Sequence, residues 1–165
     1  MANGTKLIIS DSIKKIGTFA FVYCDKLTSV TIPDTVTSAG RTTFAYCTNL
    51  KEVKLGKGLS SIPTYAFRQC NSLVSIEIPE NITSIGSYGF YECENLKQII
   101  THGSIATIGA YSFKNCPSLT KIEIDNGATT IGNQAFYGCS SLVSISIPNS
   151  VTSLGSSAFR GCTKL

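Results

Sequence analysis

Seven cysteines are the residues of this sequence with the widest chemical potential, because thiolates bind metals, form disulfides and act as nucleophiles. They recur at a constant interval of 23 residues, as Cys24, Cys47, Cys70, Cys93, Cys116, Cys139 and Cys162. Zinc sites usually contain close pairs such as C-x-x-C, which let four ligands converge on one point. A row with one cysteine in every 23 residues does not converge in this way. The spacing therefore predicts no metal site.

Disulfides and a buried, unreactive row are the remaining interpretations of these cysteines. If each interval is one coil of a stacked structure, neighbouring thiols lie within the distance range that a disulfide tolerates, so pairing stays geometrically open. Seven is an odd number, however, and equivalent side chains of stacked coils point the same way. We favour a ladder of small apolar thiols in the core, which would be inert because reactivity requires an accessible thiolate.

Other catalytic groups are scarce. The chain has one histidine, His102, and lacks the G-x-S-x-G pattern of a serine nucleophile. Glu77 and Glu123 occupy the same position two units apart, at roughly 10 Å by the spacing of parallel strands. That separation would suit a pair of glycosidase carboxylates, but an open sheet offers no cleft to desolvate them. We predict no catalytic residues and no cofactor, and that the protein is not an enzyme.

The elements that position these residues follow from the same 23-residue period. A leucine lies three residues after each cysteine, as Leu27, Leu50, Leu73, Leu96, Leu119, Leu142 and Leu165. A phenylalanine lies three residues before each, as Phe21, Phe44, Phe67, Phe90, Phe113, Phe136 and Phe159. Three residue types held at one period over seven copies indicate a repeat protein. One unit buries little surface alone, and stacking joins the units into a continuous core.

The unit that starts at Leu142 shows the predicted local structure. Its opening residues alternate, which predicts a short strand with Leu142, Ile145 and Ile147 facing the core. Pro148 ends the strand because proline cannot donate to a sheet. We predict that residues 156–162 form a short helical turn. The glycines that recur between these parts are predicted to be turn residues: Gly17, Gly40, Gly86, Gly109, Gly132 and Gly155.

The repeat resembles the BspA-like subclass of leucine-rich repeats. The resemblance rests on the pattern I-P-x-x-V-T-x-I-G-x-x-A-F-x-x-C-x-x-L-x-x-I, seen over residues 78–86 and at Phe90, Cys93, Leu96 and Ile99. It implies a leucine-rich-repeat solenoid of right-handed coils, with a parallel β-sheet on one face and short helical turns or loops on the other. We expect residues 1–165 to form a single solenoid of seven 23-residue repeats without capping units.

Some units depart from this pattern. Ala39 replaces an isoleucine, Pro63 replaces a glycine and Thr101 replaces a strand aliphatic. We predict local loosening at these positions without a break in the solenoid.

Charge and hydropathy exclude several classes of partner. The formal net charge is +4 and is spread along the chain, whereas nucleic-acid binding needs clustered bases. We therefore predict no nucleic-acid partner. The apolar runs are too short to span a bilayer, and the first ten residues do not have the pattern of a signal peptide.

Two surfaces are candidates for binding. Strand side chains that point away from the core form the first: Ser29, Thr31, Glu52, Lys54, Ser75, Glu77, Gln98, Ile100, Lys121, Glu123, Ser144 and Ser146. The second is a row five residues before each cysteine that contains Tyr65, Tyr88 and Tyr111. This row is either a docking stripe for a partner or a stack of rings that covers the turns.

The function implied by the resemblance is binding. Members of the family are largely bacterial and protist surface proteins, some linked to adhesion, which implies a non-enzymatic scaffold for a host or matrix protein at the cell surface or in secreted form. The alternative is a structural protein that assembles end to end into a fibre or surface layer, because the solenoid ends are open.

Overall fold

The computed structural model describes residues 4–103 and 105–165, which wind into stacked coils joined by parallel strands. Strands are numbered in chain order. The longer strands form the strand face and comprise β1 (Thr5–Ile8), β3 (Leu27–Thr31), β5 (Glu52–Lys54), β7 (Ser75–Ile78) and β9 (Gln98–Thr101). They pair in the orders β1-β3-β5 and β7-β9, each strand lying beside its equivalent one period away. The parallel-sheet solenoid predicted from the repeat is therefore confirmed.

The strand face becomes irregular in the last coils. Beyond β9, one isolated bridge joins Gln98 to Lys121, and residues 143–148 are assigned to no strand. Ile147, which the alternation predicts to face the core, is 41% exposed. The prediction that Ile147 faces the core was wrong, because residues 143–148 form no strand that would fix the alternation of their side chains.

A second parallel sheet, made of two-residue strands, was not predicted. Its members are β2 (Lys15–Ile16), β4 (Ser38–Ala39), β6 (Ser61–Ile62), β8 (Ser84–Ile85), β10 (Thr107–Ile108), β11 (Thr130–Ile131) and β12 (Ser153–Leu154). Five of them pair in the order β12-β11-β10-β8-β6, while β2 and β4 pair separately. Each of these strands is one polar residue followed by one apolar residue, a pattern too short to recognise as a strand from sequence.

The interruption of this sheet lies at Pro63. In neighbouring coils, a glycine N–H that follows the strand donates to the carbonyl of the preceding coil, as Gly86 N does to Ile62 O at 2.8 Å. Proline has no N–H, so this bond cannot form between Pro63 and Ala39. The ladder is lost between β4 and β6, and the stacking of the coils continues across it.

The side opposite the strand face, here called the turn face, contains no helix within the residues that the structure describes. The predicted helical turn of residues 156–162 is instead a pair of successive tight turns, in which Ala158 N donates to Gly155 O and Arg160 N to Ser157 O. Two positions in each coil take left-handed φ values: Phe19, Tyr23, Thr42, Tyr46, Tyr65, Gln69, Tyr88, Glu92, Tyr111, Asn115, Gln134, Gly138, Ser157 and Gly161. A helix is excluded because its residues require negative φ.

These alternating turns create a third hydrogen-bond ladder, called the turn ladder. Residues five, three and one before each cysteine donate their N–H to the next coil, as Tyr88 does to Ala110 O, Phe90 to Ser112 O and Glu92 to Lys114 O. The same three bonds, between 2.7 and 3.2 Å, join each neighbouring pair of coils. The backbone of the turn face is thus satisfied between coils instead of within a helix.

The core is a set of columns in which identical side chains stack. The five phenylalanines from Phe44 to Phe136 are at most 2% exposed, and neighbouring rings stack at 5.2–5.7 Å between centroids. The leucine, isoleucine and cysteine columns fill the remaining interior. This packing is the physical reason that the same residue type recurs at each core position.

The recurrent glycine column has a different role from the predicted one. None of its members has a positive φ. An added Cβ at Gly40, Gly86, Gly109, Gly132 or Gly155 would instead lie 2.3–2.6 Å from a backbone nitrogen of the preceding coil. Glycine is favoured here because the backbones of adjacent coils approach closely. Pro63 is the exception in this column, and there the ladder of the second sheet is interrupted.

Candidate functional site

The cysteine row runs along the core of the solenoid. All seven are free thiols, the five central ones are buried, and Cys24 and Cys162 are partly exposed. From the second coil onward, each Sγ–H donates at 3.0–3.3 Å to the carbonyl of the phenylalanine 26 residues earlier, as Cys93 does to Phe67 O. The cysteine therefore combines a small apolar side chain with a donor for a buried carbonyl.

Burial suppresses ionisation of these thiols. It raises the pKa of Cys47 to about 12 and raises the pKa of Cys70, Cys93 and Cys116 well above the ordinary range, with a further contribution from the neighbouring cysteine. Among the residues that the structure describes, no three His, Cys, Asp or Glu side chains are grouped so that they could hold a metal ion. The central cysteines are therefore packed in the core as protonated thiols, which fits a structural role.

Thiol labelling should separate the two ends of this row from its centre. In the native protein, a disulfide reagent should modify at most Cys24 and Cys162, and all seven cysteines should react after unfolding. Raising the pH to about 9, where an ordinary thiol is largely ionised, should leave the central five unreactive because burial raises their pKa. Mass spectrometry of labelled peptides checks this, and rapid native labelling of Cys93 would contradict it.

The twelve strand-face candidates lie on the outside of the solenoid, and none of them is buried. Ser29 to Ile100 belong to β3, β5, β7 and β9, whereas Glu123, Ser144 and Ser146 lie outside any strand. One pair of charges on this surface is neutralised, because Lys121 Nζ lies 2.6 Å from Glu123 Oε1. His102 Nε2 lies 3.7 Å from Glu77 Oε2. The hydrogen bond and charge of Lys121 lower the pKa of Glu123.

The structure brings Tyr65, Tyr88 and Tyr111 together as one continuous stack on the turn face. Their ring centroids are 4.6 Å apart at each step, with interplanar angles of 14° and 13°. Partial burial raises the pKa of Tyr88, and the two flanking tyrosines add to this shift. Each ring covers its neighbour while its edge stays open to solvent, so the two interpretations of this row are compatible.

Sequence reasoning missed two further columns that adjoin this row. They lie one and two residues before each cysteine and contain Tyr23, Tyr46, Tyr91 and Tyr137. All seven tyrosines and all three arginines of the chain therefore lie on the turn face. The tyrosines and arginines, together with Phe19 and Lys114 on the same face, are called the turn-face belt. Its members are Phe19, Tyr23, Arg41, Tyr46, Tyr65, Arg68, Tyr88, Tyr91, Tyr111, Lys114, Tyr137 and Arg160. The signal that could have found it is the restriction of Tyr and Arg to a few positions of the 23-residue period.

The cations of the turn-face belt lie over its aromatic rings. The Arg68 guanidinium carbon lies 5.1, 5.2 and 5.9 Å from the ring centroids of Tyr91, Tyr46 and Tyr65. Lys114 lies over Tyr137 at 4.7 Å. Such contacts orient a cation without neutralising its charge. Within residues 4–103 and 105–165, no carboxylate lies within ion-pair distance of Arg41, Arg68 or Arg160.

Glu92 is the one carboxylate in the sequence columns that form the belt. Burial alone would raise its pKa, but hydrogen bonds with Gln69, Tyr91 and Asn115 outweigh burial and lower it. The nearby Arg68 charge adds to this lowering. Glu92 is thus an ionised acceptor that is already engaged by its neighbours, and the belt keeps a net positive charge.

A family model described as the BspA-type leucine-rich repeat region, present in six copies, matches residues 1–120 and 106–165. The chain belongs to the BspA-type leucine-rich repeat family. The resemblance inferred from the repeat pattern is confirmed. No curated protein matches the chain significantly.

Solved structures of leucine-rich repeat proteins share its fold. The crystal structure of a T. pallidum leucine-rich repeat protein superposes with a TM-score of 0.86 at 28% identity, over 98% of this chain and 78% of that one. A leucine-rich cell surface protein from Faecalibacterium prausnitzii superposes with a TM-score of 0.64 at 31% identity, over 85% of this chain and 31% of that protein. A leucine-rich repeat protein from Eubacterium ventriosum superposes with a TM-score of 0.63 at 23% identity, over 96% of this chain and 43% of that one. In the described part of the chain, no helix could cross a membrane.

The BspA-type repeat explains the core columns of this chain and leaves the turn-face belt unexplained. The repeat pattern requires Phe, Cys, Leu and Ile at their positions and leaves the residues one, two and five before the cysteine free. Those free positions hold every tyrosine and arginine except Arg41, which is one residue further from its cysteine. The belt is therefore the surface on which this member carries side chains that its fold does not demand.

Proposed function

We propose that this chain is a non-enzymatic protein-binding scaffold that engages its partner mainly through the turn-face belt. The observation that carries the proposal is the placement of all seven tyrosines and all three arginines on this one face. Tyrosine and arginine are the residue types that, with tryptophan, dominate the binding energy of protein interfaces. A surface that needed only to be soluble would not concentrate them.

The stacking of the belt favours binding energetically. A tyrosine held between two other rings at 4.6 Å has already lost most of its rotational freedom in the free protein. Immobilising a flexible side chain at an interface costs about 0.5–1.5 kcal/mol, and a pre-ordered ring avoids this cost. The cations over the rings are pre-oriented in the same way. These features support the belt as an anchor surface.

The strand face is the weaker candidate for the main binding surface. Its outward side chains are mostly Ser, Thr, Glu and Lys, and two of them, Lys121 and Glu123, form an ion pair with each other. It contributes no aromatic side chain among the twelve predicted positions. We assign it a secondary role, in which it supplies specificity at the rim of a contact.

A cell-surface or secreted parent protein, with adhesion to a host or matrix protein, is part of this proposal. The support is membership of the BspA-type family and the similarity to a protein described as a leucine-rich cell surface protein. That protein is considerably longer than this chain, which covers 31% of it. The adhesive partner is therefore proposed for a whole protein of which a solenoid of this kind forms one part.

A direct test compares the two faces by matched triple substitutions. The belt variant carries Tyr65→Ser, Tyr88→Ser and Tyr111→Ser, and native Ser157 shows that this column accepts serine in the same left-handed conformation. The control variant carries Glu52→Ser, Lys54→Ser and Glu77→Ser. Binding to immobilised fibronectin, laminin and collagen is measured by surface plasmon resonance, with serum albumin as reference. We expect the belt variant to lose at least about tenfold in affinity and the control to retain it.

The outcomes of this test separate the alternatives. Loss of binding in the strand-face variant alone would assign the interface to that face. If the parent chain bound none of the matrix proteins and instead polymerised without a partner, the structural alternative would replace the scaffold.

A further inference from the structure

One position of the tyrosine column lacks an aromatic ring although both of its neighbours have one. Successive coils place Phe19, Thr42 and Tyr65 at this position, followed by Tyr88 and Tyr111. Thr42 therefore leaves a vacancy of one ring inside the stack, with coils of this chain on both sides. The vacancy forms an open depression of about 400 Å³ whose wall also includes Tyr23 and Tyr46.

The size of this vacancy matches a flat ring. Neighbouring tyrosines in the column stack at 4.6 Å, and Phe19 and Tyr65 lie two coils apart, which by the same step would leave room for one ring between them. A ring that entered between them would meet one aromatic face on each side, as Tyr88 does between Tyr65 and Tyr111. Phe19 is 50% exposed and Tyr23 is 68% exposed, so both still have apolar surface to bury.

Thr42 is not the residue that stability alone would favour at this position. Its φ is +61°, a left-handed conformation that is a true outlier for a β-branched residue. The same left-handed conformation recurs in this column at Phe19, Tyr65, Tyr88, Tyr111, Gln134 and Ser157, so it belongs to the turn of every coil. The turn accepts a tyrosine in this conformation at Tyr65, Tyr88 and Tyr111, so at Thr42 the chain has a small side chain where a tyrosine could stack.

Positive charge borders the depression on both sides. Arg41 lies over the Phe19 ring at 5.8 Å, and Arg68 lies over Tyr46 at 5.2 Å and Tyr65 at 5.9 Å. In the described ranges, neither guanidinium has a carboxylate within ion-pair distance. An incoming ring would displace the Arg41 guanidinium from the Phe19 face to the rim of the depression. Arg41 and Arg68 would then border the ring on its two sides, although Arg68 is also near enough to Glu92 to lower the pKa of that carboxyl.

We infer that this vacancy is a specific docking slot for an aromatic side chain of a partner protein that is flanked by carboxylates. The aromatic ring occupies the place of Thr42 in the stack, and the flanking carboxylates pair with Arg41 and Arg68. This inference rests on the proposed protein-binding function and names the chemistry that the turn-face belt recognises. Acidic segments with an embedded aromatic residue are its targets.

A fluorescent peptide tests the slot directly, because the chain contains no tryptophan. The probe is a pentapeptide with a central tryptophan and four glutamates, and binding to the full 165-residue chain is followed by tryptophan anisotropy. Thr42→Tyr should fill the slot and weaken binding by about tenfold or more, with an unchanged or raised unfolding midpoint. Gln134→Tyr adds a ring to the same column away from the slot and should leave binding unchanged. Arg68→Gln should weaken binding by about threefold to tenfold and reduce its dependence on salt.

Several results would overturn the inference. Equal binding by the parent and Thr42→Tyr would place the peptide elsewhere, and equal binding of a peptide with lysines for glutamates would remove the charge complementarity. Binding of an acidic oligosaccharide such as tetragalacturonate, without binding of the peptide, would reassign the slot to a saccharide. The proposed function has a separate readout. Loss of a matrix protein in the Tyr65, Tyr88 and Tyr111 variant, with Thr42→Tyr unaffected, would retain the protein-binding scaffold and reject the slot.

Discussion

Replacing Phe90 by alanine should lower the free energy of unfolding by about 3–5 kcal/mol. Phe90 is fully buried and stacks between Phe67 at 5.4 Å and Phe113 at 5.3 Å. Its loss removes the apolar surface of one ring, and the cavity cannot collapse because the neighbouring coils are held apart by their backbone ladders. Chemical denaturation followed by circular dichroism measures the change.

The end of the same column provides the control for Phe90. Phe159 stacks on one ring, Phe136 at 5.4 Å, and is only partly buried. Phe159→Ala should therefore cost distinctly less than Phe90→Ala, although the two substitutions delete the same atoms. Because a solenoid is coupled mainly through neighbouring coils, the central loss should also broaden the transition. Equal destabilisation by the two variants would show that stacking on both sides is not what holds the column together.

Gly109→Ala should destabilise the protein by about 3 kcal/mol, at the upper end of the range for overpacking. A Cβ at this position would lie 2.6 Å from Ser87 N and 2.7 Å from Ile85 O. Both are backbone atoms of the preceding coil, so no side-chain rotation can relieve the contact. The coils would have to separate, which would also weaken the hydrogen bond from Gly109 N to Ile85 O.

Gly17→Ala is the matched control, since it lies in the same column with no preceding coil in this chain. A Cβ there meets nothing within 4 Å, and its φ is not in the left-handed region. Restricting the unfolded chain should then stabilise the protein slightly, by about 0.4–1 kcal/mol. The two alanine variants should thus shift the midpoint of thermal unfolding in opposite directions. A shared direction would refute the close-approach explanation of the glycine column.

The core of this fold could be predicted from sequence because it repeats. Cysteine, phenylalanine and leucine recur at one period, and stacking gives the same environment to each copy, so the buried role of Cys93 and Phe90 followed directly. Departures also carried information. Pro63 marked the point at which one sheet loses a hydrogen bond, for the chemical reason that proline lacks an N–H.

The turn face could not be predicted in the same way. Helical periodicity in residues 156–162 suggested one turn of helix, whereas the backbone alternates between right- and left-handed residues and bonds to the next coil. Left-handed φ values at Tyr65, Tyr88 and Tyr111 have no sequence signature, because bulky residues rarely adopt them. The turn-face belt was missed for the same reason: its columns become neighbours only once the turns are known.

The turn ladder gives the molecule a direction. Every one of its N–H groups points towards the coil that follows, and every carbonyl towards the coil that precedes, as in the bond from Phe113 N to Ala135 O. One end surface of such a stack consequently offers only donors through this ladder and the opposite surface only acceptors. Two identical end surfaces would place donors against donors or acceptors against acceptors. A two-fold symmetric dimer through these surfaces therefore cannot form the hydrogen bonds of the turn ladder. Any junction that continues it must be heterologous and must keep one orientation from subunit to subunit, much as a polar filament has unlike ends.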